Sequence, residues 1–174
     1  MIRTLLPSLG LALLAPPLAA LECYDLAGTT VSFCPDAEVF DGWTFAEMET
    51  RIQGADAGTV QLVTIMRHDP ERLTPEALRE AANEVAQSFL DRGMDAMQPL
   101  LQDRPAHPGA ETARLAFLVG GGDSISAITV TLVGAPAGTF LVQTGVREAG
   151  YVTEAHSGFA AAALEALRGL EGVD

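Results

Sequence analysis

Cys23 and Cys34, the two cysteines of the chain, are the residues whose spacing most directly predicts chemistry. The segment between them is centred on Gly28-Thr29, which is typical of a two-residue turn. A hairpin around that turn would place the cysteines opposite each other, within the Cα separation that a disulfide requires. A bridge closing so short a loop stabilises by roughly 3 kcal/mol in the chain-entropy model. We therefore predict a structural disulfide.

A redox-active or metal-binding role is the alternative for this pair. The cysteines lack Cys-x-x-Cys spacing, and no histidine lies close to them in sequence. His68, His107 and His156 lie far apart and form no His-x-x-x-His or His-Glu-x-x-His pattern, so the sequence predicts no zinc site. Without a Gly-x-Ser-x-Gly elbow, a Ser–His–Asp triad would have to be assembled across the fold. No catalytic site and no cofactor are predicted.

Three acids and the sole tryptophan follow the second cysteine. Asp36, Glu38 and Asp41 are the residue type that binds calcium, but no EF-hand pattern accompanies them. Solvated loop acids are the simpler interpretation, and a calcium site is kept as a hypothesis. Trp43 is interpreted either as a buried anchor or as an interaction residue, because a tryptophan on a loop can be a binding hot spot.

The first twenty residues have the pattern of a secretory signal peptide. Arg3 supplies the positive charge, Leu5–Leu14 is apolar, and small residues end the segment at Ala20. This stretch is about half of the roughly 20 residues that a spanning helix needs. Glu22, directly before Cys23, is unlike the small residue that precedes a lipoprotein cysteine. We predict a signal peptide over residues 1–20, a single domain over residues 21–174, and a bacterial periplasmic or secreted location where disulfides persist.

Charge excludes two classes of partner. The chain has 23 acidic residues against ten Arg and no Lys, which gives a net charge of −13. Such a surface repels phosphate backbones and anionic lipids, so we predict no nucleic-acid binding. We also predict no stable membrane insertion after the signal is removed, since no later segment has the length of a spanning helix.

Hydrophobic periodicity predicts the elements that position these residues. Thr44-Phe45-Ala46-Glu47 has the form of a capping box and predicts a short helix, with Phe45, Met48 and Ile52 inward and Gly54 as its end. A second helix starts at Thr74-Pro75 and ends at Gly93. Strands are predicted over residues 59–67, 97–102, 112–119, 124–133 and 139–146, followed by a helix over residues 151–170. Residues 120–123 are a hairpin turn, because no Lys follows to make a phosphate loop.

Two segments resemble the PsbP/Mog superfamily. Residues 28–35, with Trp43 after them, are similar to that family's opening strand, its Phe-x-Pro ending and a nearby tryptophan. Residues 139–144 resemble its last strand, with Tyr151 and Phe159 leading a closing helix. The resemblance implies an α+β fold in which helices cover an antiparallel sheet, an α/β/α sandwich. It also implies a binding or assembly protein rather than an enzyme. The cysteine pair is not part of the family pattern.

The sequence therefore favours an exported, periplasmic, non-enzymatic module that binds a protein or an envelope component. A small periplasmic hydrolase and a carrier of a small apolar ligand are the alternatives. A hydrolase should have a pocket where a histidine meets a carboxylate or serine, and a carrier should have a closed apolar cavity. A binding module should have an exposed apolar patch near Trp43 or along the sheet.

Overall fold

The computed structural model describes residues 22–36, 38–57, 61–68, 73–91, 96–121, 124–147 and 154–172. The predicted signal peptide, the helix end at Gly93, the turn at residues 122–123 and Tyr151 lie outside these ranges. No helix in the described part of the chain is both long and apolar enough to cross a membrane.

The N-terminal hairpin forms with the predicted register, but its tight turn is centred on Ala27-Gly28, where the Thr29 N–H donates a hydrogen bond to the Leu26 carbonyl. Its two strands, β1 (Tyr24–Asp25) and β2 (Ser32–Phe33), are antiparallel, with Tyr24 opposite Phe33. This register is centred on Gly28-Thr29. Cys23 and Cys34 are joined by a disulfide, with their Cα atoms 4.2 Å apart. The predicted disulfide is therefore confirmed.

A seven-stranded antiparallel sheet makes up most of the molecule. Its spatial order is β3-β4-β5-β9-β8-β7-β6, so that two meanders meet where β5 pairs with β9. The α+β class and the consecutive antiparallel strands are those that the sequence predicts. The strands are β3 (Thr44–Met48), β4 (Arg51–Ala55), β5 (Gln61–Arg67), β6 (Ala96–Asp103), β7 (Glu111–Gly121), β8 (Ser124–Ala135) and β9 (Gly138–Arg147).

The helix predicted from the capping box is wrong: β3 and β4 form a hairpin instead. A helix would have placed Phe45, Met48 and Ile52 on one face. In the hairpin Phe45 and Ile52 lie on the same face, whereas Met48 lies on the other and is 43% exposed. Packing of alternate residues against the sheet and the aromatic core outweighs the local preference for a helical cap.

Two helices in the described residues pack on the large sheet. The first, α1 (Pro75–Leu90), packs on β7 and β8, and the second, α2 (Glu154–Glu165), packs on β9. The predicted cap of α1 is confirmed, since Thr74 Oγ1 accepts a hydrogen bond from the Ala77 N–H at 3.1 Å. Along β9, Phe140 and Val142 join the buried cluster beneath α2, whereas Leu141 joins the one beneath α1.

The predicted C-terminal helix is too long. It ends at Glu165, and Leu167–Arg168 forms β10, which pairs with β2 to complete a small sheet of order β1-β2-β10. Gly169 makes this contact possible. It has a φ of +72°, and a Cβ there would lie 2.0 Å from the Thr30 carbonyl oxygen. The buried Leu167 and Leu170, predicted on a helical stripe, reach the core from a strand and a turn.

Candidate functional site

One cluster of rings holds six of the ten aromatic residues of the chain. Its rings come from the disulfide-linked N-terminal hairpin, the loop before β3, β3 itself and α2. Phe33, Phe40 and Phe159 are buried, and the other three rings are half-buried at the margin of the core. We call these three half-buried rings, which are those of Tyr24, Trp43 and Phe45, the aromatic surface.

Trp43 contacts three of the other rings in this cluster. Its ring stacks on Phe45 at 6.0 Å with an angle of 17° between the planes. It meets Phe40 edge-on at 5.2 Å and Phe159 at 5.2 Å. Rings held by several aromatic neighbours lose little freedom when a partner binds, which is why such residues serve as binding anchors. Trp43 therefore fits both interpretations made from the sequence. Its ring is anchored against buried rings of the core, and part of it is open to solvent, where it could contact a partner.

The ring of Phe45 packs against β4 at the position of Gly54. Phe45 pairs with Gly54, and a Cβ at Gly54 would lie 2.3 Å from Phe45 Cε1 and 2.9 Å from Val63 Cγ1. The ring of Phe45 therefore occupies the space that a side chain at residue 54 would fill. Sequence reasoning missed Tyr24 and Phe45 as members of this surface. If residues 44–55 had been interpreted as a hairpin, residues 45, 52 and 54 would have fallen on one face of it. That pattern would have indicated that the ring of Phe45 packs over Gly54.

Two carboxylates flank the Tyr24 end of the aromatic surface. The Tyr24 hydroxyl donates a hydrogen bond to Glu22, and the Asp25 N–H donates one to Glu47 Oε1 at 2.7 Å. Burial of the phenol raises the pKa of Tyr24 above its ordinary value of 10.0, and the charge and hydrogen bond of Glu22 and the charge of Glu47 raise it further. This end of the surface is therefore electronegative as well as aromatic.

Asp36, one of the three acids proposed for calcium, stabilises a loop turn. Asp36 Oδ1 accepts a hydrogen bond from the Glu38 N–H at 2.7 Å, and the Asp36 carbonyl accepts one from the Phe40 N–H. Across the described ranges, no three His, Cys, Asp or Glu residues are grouped so that they could hold a metal ion. Calcium binding by Asp36, Glu38 and Asp41 thus lacks a preformed site in the described residues and stays a hypothesis. A calorimetric titration with millimolar calcium tests it.

The three histidines lie on different parts of the fold. His68 directly follows β5, and its N–H donates a hydrogen bond to the Thr139 carbonyl. His156 belongs to α2, and its side chain is not among those described. His107 lines an open groove of about 520 Å³ together with Glu165 and Glu171. Its Nδ1 lies 2.9 Å from the carbonyl oxygen of Pro108. Among the described residues that line this groove there is no serine, threonine or cysteine to act as a nucleophile.

Two further grooves are open to solvent and have no histidine among their described lining residues. One, of about 340 Å³, lies between the start of α1 and the end of β6, where Asp103 and Arg104 line it. The other, of about 590 Å³, lies between the N-terminal hairpin loop and Pro136-Ala137. Neither has the closed apolar form that a carrier of a small apolar ligand requires.

Comparison with known proteins identifies the architecture. No protein-family model matches the chain, and no curated protein matches it. The solution structure of cyanobacterial PsbP (CyanoP) from Synechocystis sp. PCC 6803 is similar with a TM-score of 0.56 and 9% identity, over 88% of this chain and 96% of that one. The Ran-binding protein Mog1p of Saccharomyces cerevisiae gives a TM-score of 0.59 and 10% identity, over 87% and 95% of the two chains. At this identity the likeness concerns the fold alone, and the chain has a PsbP/Mog-like fold, as its sequence segments predict.

Proposed function

We propose that this protein is an exported, non-enzymatic binding or assembly module whose aromatic surface contacts a protein or envelope component. The observation that carries the proposal is the half-exposed row of Tyr24, Trp43 and Phe45, which is anchored on buried rings. Clustered aromatic side chains that are rigid and partly open to solvent are characteristic of the centre of protein interfaces.

An extracytoplasmic, periplasmic location is part of the proposal. A disulfide persists in oxidising compartments and is rare in the cytosol, and this one closes the hairpin directly after the predicted signal peptide. Mass spectrometry of the exported protein tests the location. We expect an N-terminus near Leu21 or Glu22, whereas an uncleaved or lipid-modified N-terminus would contradict it.

The fold supports a binding role by analogy alone. Mog1p is described as a Ran-binding protein, so one chain of similar architecture acts through a protein partner. We also propose the α/β/α layering implied by the sequence resemblance. Its support is the alternation along β9, which sends neighbouring residues to two clusters, each packed beneath a different helix.

A second candidate function is a hydrolase, and the groove at His107 is the observation that favours it. His107 there shares one open groove with two carboxylates, as acid–base chemistry would require. If this candidate were correct, turnover on an esterase or peptidase panel would be lost in the variant His107→Ala. Without a nucleophile among the described lining residues, we rank it below the binding role.

Crosslinking in intact cells followed by affinity capture of the tagged protein tests the leading proposal. We expect a discrete partner whose recovery falls in Trp43→Ala and is retained in Glu84→Gln, a change on the exposed face of α1. Both variants should keep the wild-type far-ultraviolet spectrum. Recovery of no partner, together with turnover on the hydrolase panel, would overturn the binding role.

A further inference from the structure

The three rings of the aromatic surface form a continuous row. Tyr24 and Phe45 have ring centroids 4.9 Å apart and planes tilted by 34°, and Trp43 stacks on Phe45. Each ring is half-buried, so part of it remains open to a partner. The faces of such rings carry negative electrostatic potential, which attracts cations as well as apolar groups.

Among the described residues, no basic side chain forms an ion pair with the carboxylates beside this row. Glu22 and Glu47 are exposed, and both act on the Tyr24 phenol. In the described residues neither forms an ion pair; the salt bridges described there join Arg79 to Glu76 and Arg114 to Asp103. Arg51, which lies on the neighbouring strand, donates to Met48 Sδ at 3.3 Å instead. The aromatic row therefore ends at two carboxylates that have no ion-pair partner among the described side chains.

We infer that the aromatic surface binds a basic segment of a partner polypeptide, with an arginine side chain placed against Tyr24 and Phe45 and its charge directed to Glu22 and Glu47. This inference rests on the proposed function and names the partner's chemistry. A guanidinium stacks on aromatic faces and donates paired hydrogen bonds to carboxylates. It can therefore contact the aromatic rings and the two carboxylates at the same time. The net charge of −13 also steers a basic segment toward the protein.

Trp43, as the sole tryptophan, reports on this surface directly. The exported protein is titrated in about 0.15 M salt with a six-residue peptide of alternating Gly and Arg, and tryptophan fluorescence is followed. At this ionic strength exposed charges more than about 8 Å from the peptide are largely screened. The matched probe has citrulline in place of each Arg, which keeps the shape and removes the charge. We expect a saturable fluorescence change with the Arg peptide and at least about tenfold weaker binding of the citrulline peptide, as expected for the loss of a charge-assisted contact.

Variants separate the site from the overall charge of the protein. Glu22→Gln/Glu47→Gln should weaken the Arg peptide by about tenfold, the size of one charge-assisted contact. The fold should survive, because the side-chain amide oxygen introduced at residue 47 still accepts the bond from the Asp25 N–H. The control Glu80→Gln/Glu84→Gln removes the same charge from the exposed face of α1 and should weaken binding by less than about twofold, as screened charges do.

Either of two results would overturn the inference: equal binding of the Arg and citrulline peptides, or equal loss in the two double variants. Partner capture distinguishes this failure from failure of the proposed function. If capture falls in Trp43→Ala but persists in Glu22→Gln/Glu47→Gln, the surface binds a partner without a basic anchor and this inference is wrong. If the amount of partner recovered is the same in the wild type, in Trp43→Ala and in Glu22→Gln/Glu47→Gln, the proposed function itself fails.

Discussion

Single residues decide where the aromatic surface lies. Phe45 occupies the space above Gly54, and in this position its ring contacts both Trp43 and Tyr24. An aromatic ring over a strand glycine compensates for the packing that the glycine lacks. The position of the surface therefore depends on a residue that contributes no side chain to it.

Gly54→Ala should displace Phe45 and disturb the aromatic surface. The new Cβ would lie 2.3 Å from Phe45 Cε1, and overpacking of this kind costs about 2 kcal/mol. We expect a lower free energy of unfolding in urea and a changed tryptophan spectrum in the folded state. The control is Gly158→Ala on α2, which meets no atom within 4 Å and should stabilise by about 1 kcal/mol. Unchanged stability and fluorescence in Gly54→Ala would contradict the packing described for Phe45.

Ionisation of the Tyr24 phenol should lower the free energy of unfolding at alkaline pH. Burial, followed by Glu22, raises its pKa in the folded state above the ordinary value of 10.0, so the folded protein holds the phenolic proton more tightly than the unfolded chain. This contribution to stability is fully present below the unfolded pKa and is lost as pH rises through the folded pKa. The chain has no Lys and two Tyr, so few other groups titrate there.

Urea unfolding of the wild type and Tyr24→Phe between about pH 8 and 11.5 measures this effect. We expect the wild type to lose unfolding free energy more steeply than the variant above about pH 10. Parallel pH profiles for the two proteins would show that Tyr24 titrates normally and that its burial is misassigned.

At the scale of elements, the disulfide hairpin was predictable and its surroundings were not. The cysteine spacing and the central Gly28-Thr29 are local, so the sequence carries them directly. β10 pairs with β2 although the two strands lie far apart in the sequence, and no local pattern reveals such a partner. The capping-box pattern within β3 was misleading for the same reason, because the ring of Phe45 on this strand packs against rings that are distant in sequence, those of Tyr24 and Phe33.

Removing the disulfide should destabilise the protein without changing its large sheet. The bridge spans 11 residues and constrains the unfolded chain, so Cys23→Ala/Cys34→Ala should lower the free energy of unfolding by about 3 kcal/mol. Urea unfolding followed by far-ultraviolet circular dichroism measures the loss, and reduction of the wild type should reproduce it. A variant as stable as the oxidised wild type would mean that pairing with β10 alone holds the hairpin.

At the scale of the whole molecule, the fold class followed from the sequence and the aromatic surface did not. Long alternating strands such as β7, β8 and β9 predict an antiparallel sheet from their own residues. The aromatic surface combines residues from β1, β3 and the loop before it, on rings that include Phe159 of α2. Its members come together only when the N-terminal hairpin, β3 and α2 pack against one another.

Site-specific photo-crosslinking in living cells tests most directly whether the aromatic surface is the binding surface. Benzoylphenylalanine placed at Trp43 keeps an aromatic ring in the cluster, and the same group placed at Glu84 on α1 serves as the control. We predict a discrete higher-mass adduct from residue 43 that is absent from residue 84. The absence of any adduct at residue 43, or the same adduct from both positions, would contradict a binding role for this surface.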